Sequence, residues 1–389
     1  MVVIKEVSAK SILDSRKEKT ILVSIKIKSG KTFSASSPSG KSTGKYEAKP
    51  YKKNLEEDII TLKKFKDYFS EEIIEEFNDL KRIEDILEGH VGANTLFAFE
   101  SAVLKAISFE KKKEVWEIID FESRKSRKFP RLVGNCIGGG KHSSINKKPD
   151  FQEFLLIPEA NSPEKSLKIN KEAKEKAQFL IKRKDNNFKL QKNDEDAWMT
   201  SLNEKEVLDI LSELNIHLGV DVASSSFYSR KKYSYENPML KRDKEEQFGY
   251  IANLIKNYNL IYIEDPFEEE DFESHSKLLK KFPNSLIVGD DLIVTNSKKL
   301  QKAIEMKSVN AIIVKPNQCG SLLEVKRVCE MAKENNIKMI FSHRSGETEE
   351  TILADLAFGF QADFLKCGIT GKEREAKIKR LIEIEKSLK

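Results

Sequence analysis

Residues 311–318 read AIIVKPNQ: four apolar residues, a lysine, then a proline-led polar turn. A short unbroken apolar run fits a strand covered on both faces, and Pro-Asn punctuates its end. The arrangement recurs on either side. LGVDVAS (218–224), LIYIEDPF (260–267) and LIVGDD (286–291) come before it, and KMIFSHRSG (338–346) and ADFLKCG (362–368) come after. Each run stops at a polar residue: Asp221, Glu264, Asp290, Lys315, His343 and Lys366, spaced by 43, 26, 25, 28 and 23 residues. A spacing of about 25 accommodates one strand, one helix and two short loops, the βα unit of a barrel. The ladder therefore predicts six successive strands whose C-terminal ends aim one polar side chain each at a shared mouth, where such barrels carry their chemistry.

The intervening segments agree. After Lys315, Ser321 and Glu324 have capping-box spacing. Val325, Val328, Cys329 and Ala332 then follow one apolar stripe. Leu353, Leu356, Ala357 and Phe360 repeat this after His343. From about Pro130 strands and helices alternate, with PRLVGNCIGGG and FQEFLLIPEA as apolar segments and EKSLKINKEAKEKAQFLIKRK as a long helix. Residues 1 to about 125 read differently: two alternating strands, a Ser/Gly-rich stretch over 34–44, and three helical patterns (LEEDIITLKKF, SEEIIEEFNDLKRIEDIL and NTLFAFESAVLKAISFEKKKEVWEIID). The expected fold class is α/β: a C-terminal TIM-like barrel over 128–389 and a smaller N-terminal α+β capping domain over 1–127.

The chain has 389 residues, enough for two domains, with 69 Lys+Arg against 63 Asp+Glu and a net charge of +6. That charge is scattered rather than gathered in a stripe, so nucleic acid is not an expected partner. No apolar run approaches the roughly 20 residues that span a membrane, so no membrane partner is expected. The opening MVVIKEVSAKSILDSR is charged throughout, and the four cysteines show no CxxC spacing. A reducing cytoplasm is the expected location.

Asp221, Glu264 and Asp290 converging on a small volume repel one another. One such acid is ordinarily paired with a lysine, but three at consecutive units favour a hard divalent cation, with all-oxygen ligation pointing to Mg²⁺. A lysine near such cations, Lys315 or Lys366, has its pKa drawn down toward that of a general base, although a salt bridge to one of the acids is the plain alternative. His343, Arg344 and Ser345 stand together at a strand end, where Arg offers a fork to phosphate or carboxylate and a helix beginning near Gly346 adds its N-terminus. His142, Gln152, Glu153 and Glu195 carry little signal taken singly.

Together these segments resemble enolase, the 2-phosphoglycerate dehydratase of glycolysis. The resemblance runs through LDSR (13–16), PSGKSTGKYEA (38–48), VGAN (91–94), GGGKH (138–142), DFQEF (150–154), DEDAW (194–198), DVASSSFY (221–228), IEDPF (263–267), GDDLIVTN (289–296), KPNQCG (315–320), SHRSGETEET (342–351) and LKCG (365–368). GGGKH and DEDAW are most similar to the archaeal branch.

The resemblance implies an Mg²⁺-dependent, reversible conversion of 2-phospho-D-glycerate to phosphoenolpyruvate. It implies two Mg²⁺ per active site, Asp221, Glu264 and Asp290 holding the first and Ser42 the second. Lys315 matches the base at C2, and Glu195 the acid at the C3 hydroxyl. Glu153 and His343 match further catalytic positions. His142, Gln152, Arg344, Ser345 and Lys366 match substrate contacts. The 34–44 stretch then reads as a lid hinged at Gly40 and Gly44, and a homodimer or homo-octamer is implied.

Some positions depart from the family. DSRKEKT replaces DSRGNPT, Ser226 stands for an acid, and SSINKKPD follows His142. Asp196 stands where a glycine is usual, so a Cβ and a charge are expected to crowd Glu195 or turn it outward. Two alternatives follow: another lyase or isomerase of the wider superfamily, for which Lys182-Arg183-Lys184 offers a Lys-x-Lys spacing, or a catalytically impaired paralogue with a binding role.

Overall fold

The computed structural model describes residues 1–41, 44–69, 72–119 and 127–388. The N-terminal part is an antiparallel meander of β1 (Ile4–Leu13), β2 (Lys19–Ile27) and β3 (Thr32–Ser36). In β2, Ile21, Val23, Ile25 and Ile27 are buried while Ser24 and Lys26 face outward, the period of a half-covered sheet. Gly30, at φ +83°, turns β2 into β3.

Helices Leu55–Lys64, Leu80–Leu87 and Ala93–Lys111 accompany this sheet. Two helical expectations are shortened. The pattern beginning at residue 70 becomes an α-helix only from Leu80, because the Asp79 carboxylate takes the Glu75 and Glu76 amides at 2.9 and 3.0 Å and holds a turn there. The long 94–120 pattern breaks at Lys112, whose φ of +52° ends one helix before a second begins at Val115.

The rest closes into a barrel. Its strands are β4 (Arg131–Gly138), β5 (Glu153–Ile157) and β6 (His217–Asp221), then, after an outlying meander of β7 (Tyr228–Ser229), β8 (Lys232–Glu236) and β9 (Met239–Arg242), β10 (Tyr262–Glu264), β11 (Leu286–Gly289), β12 (Ala311–Val314), β13 (Lys338–Ser342) and β14 (Phe364–Gly368). The β7–β9 meander accounts for the wide interval between Asp221 and Glu264.

Strands β6, β10 to β14 and β4 run parallel, but β5 is antiparallel to both of its neighbours. This corrects the expectation that strands and helices alternate from about residue 130. Parallel strands need a crossover, usually helical, and residues 139–152 supply only a loop with one 3₁₀ turn. Two helices, Pro163–Lys184 and Glu204–Ser212, follow β5 instead.

Side-chain alternation places the site. Val133, Leu155, Tyr262, Val288, Ile313, Ile340 and Phe364 fill the barrel interior as one apolar cluster. Two residues on, toward the mouth, the same face carries Glu264, Asp290, Lys315, Ser342 and Lys366. Because β5 runs backwards, its first residue, Glu153, reaches that mouth, in register with Asp221.

The helix after Lys315 spans Leu322–Glu334. Ser321 Oγ accepts the Glu324 amide at 2.9 Å, and Val325, Val328, Cys329 and Ala332 are all buried. Each buried aliphatic side chain is worth roughly 1.5–3 kcal/mol and a cap about 1 kcal/mol, so the stripe holds this helix in place more than the cap does. One apolar cluster continues from β1–β3 through Ala93–Lys111 into helices Leu322–Glu334 and Ile352–Gly359, seating the small sheet beside the barrel. No helix among the described residues is long and apolar enough to cross a membrane.

Candidate active site

Of the six rungs, Asp221 and Glu264 close their strands, Asp290, Lys315 and His343 come one residue after theirs, and Lys366 lies within β14, two residues before its end. Lys366 is the central cation. Its Nζ lies 3.0 Å from Asp221 Oδ2, 2.8 Å from both Glu264 oxygens and 3.2 Å from Glu153 Oε2, with all four side chains almost fully buried. Burial opposes its charge, yet Asp221, Glu153 and Glu264 outweigh it and push its pKa well above the ordinary lysine value. Glu264 is also pushed up, by burial first and then by Asp221.

Lys315 donates to Asp290. Burial lowers its pKa, but Asp290 reverses the balance and holds it above the usual value. A Lys315 tuned toward neutrality is therefore not what this arrangement produces. The cause is the adjacent carboxylate, and a cation neutralising Asp290 would withdraw that support.

A second cluster surrounds Glu195, which is 2% exposed and points inward. His142 Nδ1 stands 3.2 Å from Oε1, Asn135 Nδ2 2.9 Å from Oε2, and His343 Nε2 3.9 Å from Oε2. Burial pushes Glu195 up, but His142 and His343 overcome it and hold the carboxyl well below its ordinary range. Burial, then Glu195, drives Glu153 the other way, well up. His142 is raised by Glu195 despite its burial, whereas burial takes His343 far down. His142 and Glu153 thus flank Glu195, with the two carboxyls driven in opposite directions by their neighbours.

Asp196 does not turn Glu195 outward. It occupies φ +63° and faces away from the cavity, toward Lys174 at 3.2 Å and Lys192 at 3.0 Å. Lys182-Arg183-Lys184 ends the helix Pro163–Lys184, and Lys184 pairs with exposed Asp209 at 3.1 Å, so this run follows the helix end and not the mouth.

Arg344 is buried and forked onto Glu47 at 3.0 and 3.1 Å, with Asn317 Oδ1 at 3.1 Å. Ser345 Oγ accepts the Lys41 amide at 2.8 Å. The expected helix at Gly346 is absent: Gly346 pairs with Ser39 in a β-bridge, and the helix starts at Ile352. Gly40 and Gly44 are needed for close approach, since a Cβ would lie 2.0 Å from Arg344 Nη2 at the first and 2.9 Å from Asp291 Oδ1 at the second. Neither has a positive φ, so it is close approach and not a left-handed turn that requires glycine there. Ser42 lies outside the described residues. Gln152 Nε2 approaches Asp221 Oδ2 at 3.5 Å.

The residues fit a hard divalent cation. Carboxylate oxygens of Asp265, Asp290 and Asp291 lie within 4.8 Å of one another, as do ligand atoms of His142, Glu153 and Glu195. Asp291 is pushed up to about 7 by burial and then by Asp290, the mark of like charges in need of a counter-charge. Of the expected ligands, Asp290 belongs to the first group, while Asp221 and Glu264 share Lys366. Asp265 orients the group by accepting the Asp290 and Asp291 amides at 3.0 and 2.6 Å.

Sequence reading missed Asp265 and Asp291, although each adjoins a rung, and it missed Glu47 and Asn317. It also missed Arg374, whose guanidinium donates to the carbonyls of Asp194, Arg344 and Ser345 at 3.1, 3.4 and 2.6 Å and to Ser15 Oγ at 2.8 Å. Arg374 sits in a Lys/Arg-rich helix, where no local signal separates it from solvated neighbours.

Comparison with known proteins agrees along the whole chain. Residues 127–389 match the family described as enolase, C-terminal TIM barrel domain, and residues 4–119 match enolase, N-terminal domain. An enolase from Pyrobaculum aerophilum is 36% identical over 374 residues, covering 90% of this chain and 87% of the relative. One from Methanosphaera stadtmanae is 36% identical over 409 residues, covering 99% and 97%. One from Natronomonas pharaonis is 34% identical over 404 residues, covering 99% of both.

Proposed function

The chain belongs to the enolase family and is a phosphopyruvate hydratase, a carbon–oxygen lyase; we propose that Lys315 and Glu195 divide its chemistry, the dehydration of 2-phospho-D-glycerate to phosphoenolpyruvate. Lys315, as the free amine, takes the C2 proton, and Glu195 assists departure of the C3 hydroxyl. Supporting this division, both side chains line one polar pocket, together with Asp221, Asp290 and Lys366.

The family implies a divalent metal. Taken as Mg²⁺ and held by Asp221, Glu264 and Asp290, it supplies positive charge against the dianion that forms at the substrate carboxylate when the C2 proton leaves. Lys366 adds a fixed cation on the same side. Arg344 and Ser345 hold the phosphate, so Arg344 exchanges Glu47 for substrate. Gln152 and neutral His343 hydrogen-bond the substrate.

His142, 3.2 Å from Glu195 Oε1, and Glu153 beside it are the groups placed to pass Glu195 the proton for the leaving hydroxyl. We assign the second Mg²⁺ to Ser42, the cap to residues 1–127 and the catalytic barrel to 128–389. A homodimer or homo-octamer in the cytoplasm completes the reading, and light scattering of the purified chain tests the assembly.

A coupled assay on 2-phosphoglycerate, with Mg²⁺ and with chelator, tests the function. Mg²⁺-dependent phosphoenolpyruvate formation, lost in Lys315→Ala, is expected. Equal rates in the variant and the parent chain would end the assignment of Lys315.

A further inference from the structure

Asp196 follows the proposed acid and holds a backbone conformation that a residue with a Cβ rarely adopts, φ +63°. Its side chain is not idle. Oδ2 accepts from Lys174 Nζ at 3.2 Å, from Lys192 Nζ at 3.0 Å and from Thr370 Oγ1. Lys174 also donates to the Asp196 carbonyl and to Thr370 Oγ1, and its side chain is only 4% exposed.

These donors come from three places. Lys174 lies on the helix Pro163–Lys184, Lys192 on the segment entering the loop, and Thr370 just beyond β14, which carries Lys366. The turn is also seated against that strand end: a Cβ on Gly368 would lie 2.8 Å from the Glu195 carbonyl oxygen. A buried ammonium held to a carboxylate, a carbonyl and a hydroxyl oxygen is retained only where its geometry is well satisfied.

We propose that Asp196 is a positioning residue. Its carboxylate, clamped by Lys174, Lys192 and Thr370, offsets what a Cβ costs in the left-handed turn that aims Glu195 into the cavity, and ties the acid loop to the strand bearing Lys366. The proposal rests on the reading of Glu195 as the acid. It separates the two halves of the reaction, because Lys315 takes the C2 proton from another strand and does not depend on the turn.

The test uses the full chain with Mg²⁺. Asp196→Ala, Asp196→Gly and Glu195→Gln are compared with the parent for kcat, KM, thermal midpoint, and exchange of the C2 proton of 2-phosphoglycerate in D₂O. In Asp196→Ala, where the strain stays and the clamp is lost, kcat is expected to fall on the order of 10- to 100-fold. KM and C2 exchange stay within about threefold of the parent. Asp196→Gly, which adopts the turn without a clamp, is expected to recover most of the lost kcat.

An unchanged kcat in Asp196→Ala overturns the proposal. So does a parallel fall in kcat and C2 exchange, which marks general disruption, or an Asp196→Gly as slow as Asp196→Ala, which assigns the effect to the charge and not to the turn. Failure of the underlying reading shows separately, as a Glu195→Gln that dehydrates at the parent rate.

Discussion

Lys366 Nζ lies 2.8 Å from both carboxylate oxygens of Glu264, at the centre of a barrel mouth that also brings Asp221 and Glu153 to the same ammonium. One lysine thus counters three buried acids. Removing it leaves like charges without a partner in a low-dielectric site, where breaking a buried pair costs about 3–5 kcal/mol. Lys366→Met is expected to lower the thermal midpoint and to reduce turnover on the order of 10²- to 10³-fold. Added Mg²⁺ replaces part of the lost charge, so it is expected to raise the midpoint of the variant more than that of the parent. Equal rises in a thermal titration would show that these carboxylates do not share their charge between lysine and metal.

Arg374 gives a second expectation. Its guanidinium joins the carbonyls of Asp194, Arg344 and Ser345, so one side chain connects the acid loop to the anion loop. Lysine keeps the charge but lacks the planar fork. Arg374→Lys is expected to cost about 1–3 kcal/mol, from buried acceptors left unmade. It should also raise KM and lower kcat together. Denaturant melts alongside initial rates decide it, and a variant with unchanged KM would detach Arg374 from the anion loop.

These residues also show what was legible in the chain. The ladder was readable because alternation is local: Ile313 faces the barrel interior, so Lys315 must reach its mouth, and Tyr262 and Glu264 repeat the relation. Strand direction was not, because EFLLI reads equally well either way. The reversal of β5, which delivers Glu153, is decided by a loop that lacks a crossover helix. The start of the last barrel helices was partly hidden too, since Gly346 is used by the bridge to Ser39 across more than 300 residues. Long-range partners such as Glu47 with Arg344 leave no pattern in either segment.

His275 carries an acid-stability expectation away from the site. It is fully buried, with Nδ1 2.8 Å from the Asp271 carbonyl and its ring edge-on to Phe267 at 5.3 Å. Burial lowers its pKa to about 4 from an ordinary 6.5. The folded state therefore prefers the neutral ring. That preference is fully expressed above pH 6.5 and is lost as pH falls toward 4, a swing of about 3 kcal/mol. His275→Asn cannot take up this proton. Its stability, followed by urea melts between pH 7.5 and 4.5, is expected to fall less steeply than that of the parent, and parallel curves would contradict the assignment.

Gly40 closes the set. A Cβ there would lie 2.0 Å from Arg344 Nη2 and 2.8 Å from Arg344 Cζ. A flexible arginine tip ordinarily yields to such an intrusion, but this one is fixed by Glu47 at 3.0 and 3.1 Å and by Asn317 at 3.1 Å. Either the segment carrying Gly40 lifts, breaking the 2.8 Å bond from the Lys41 amide to Ser345 Oγ, or Arg344 leaves its seat. Both outcomes disturb the proposed phosphate contacts and leave the apolar core untouched. Gly40→Ala is therefore expected to keep the parent thermal midpoint within a degree or so while KM for 2-phosphoglycerate rises on the order of tenfold, about 1.4 kcal/mol of lost binding. Initial-rate kinetics and a thermal melt measured on the same preparation decide between this and a general loss of stability. An unchanged KM would mean that Arg344 does not need this close approach to hold its anion.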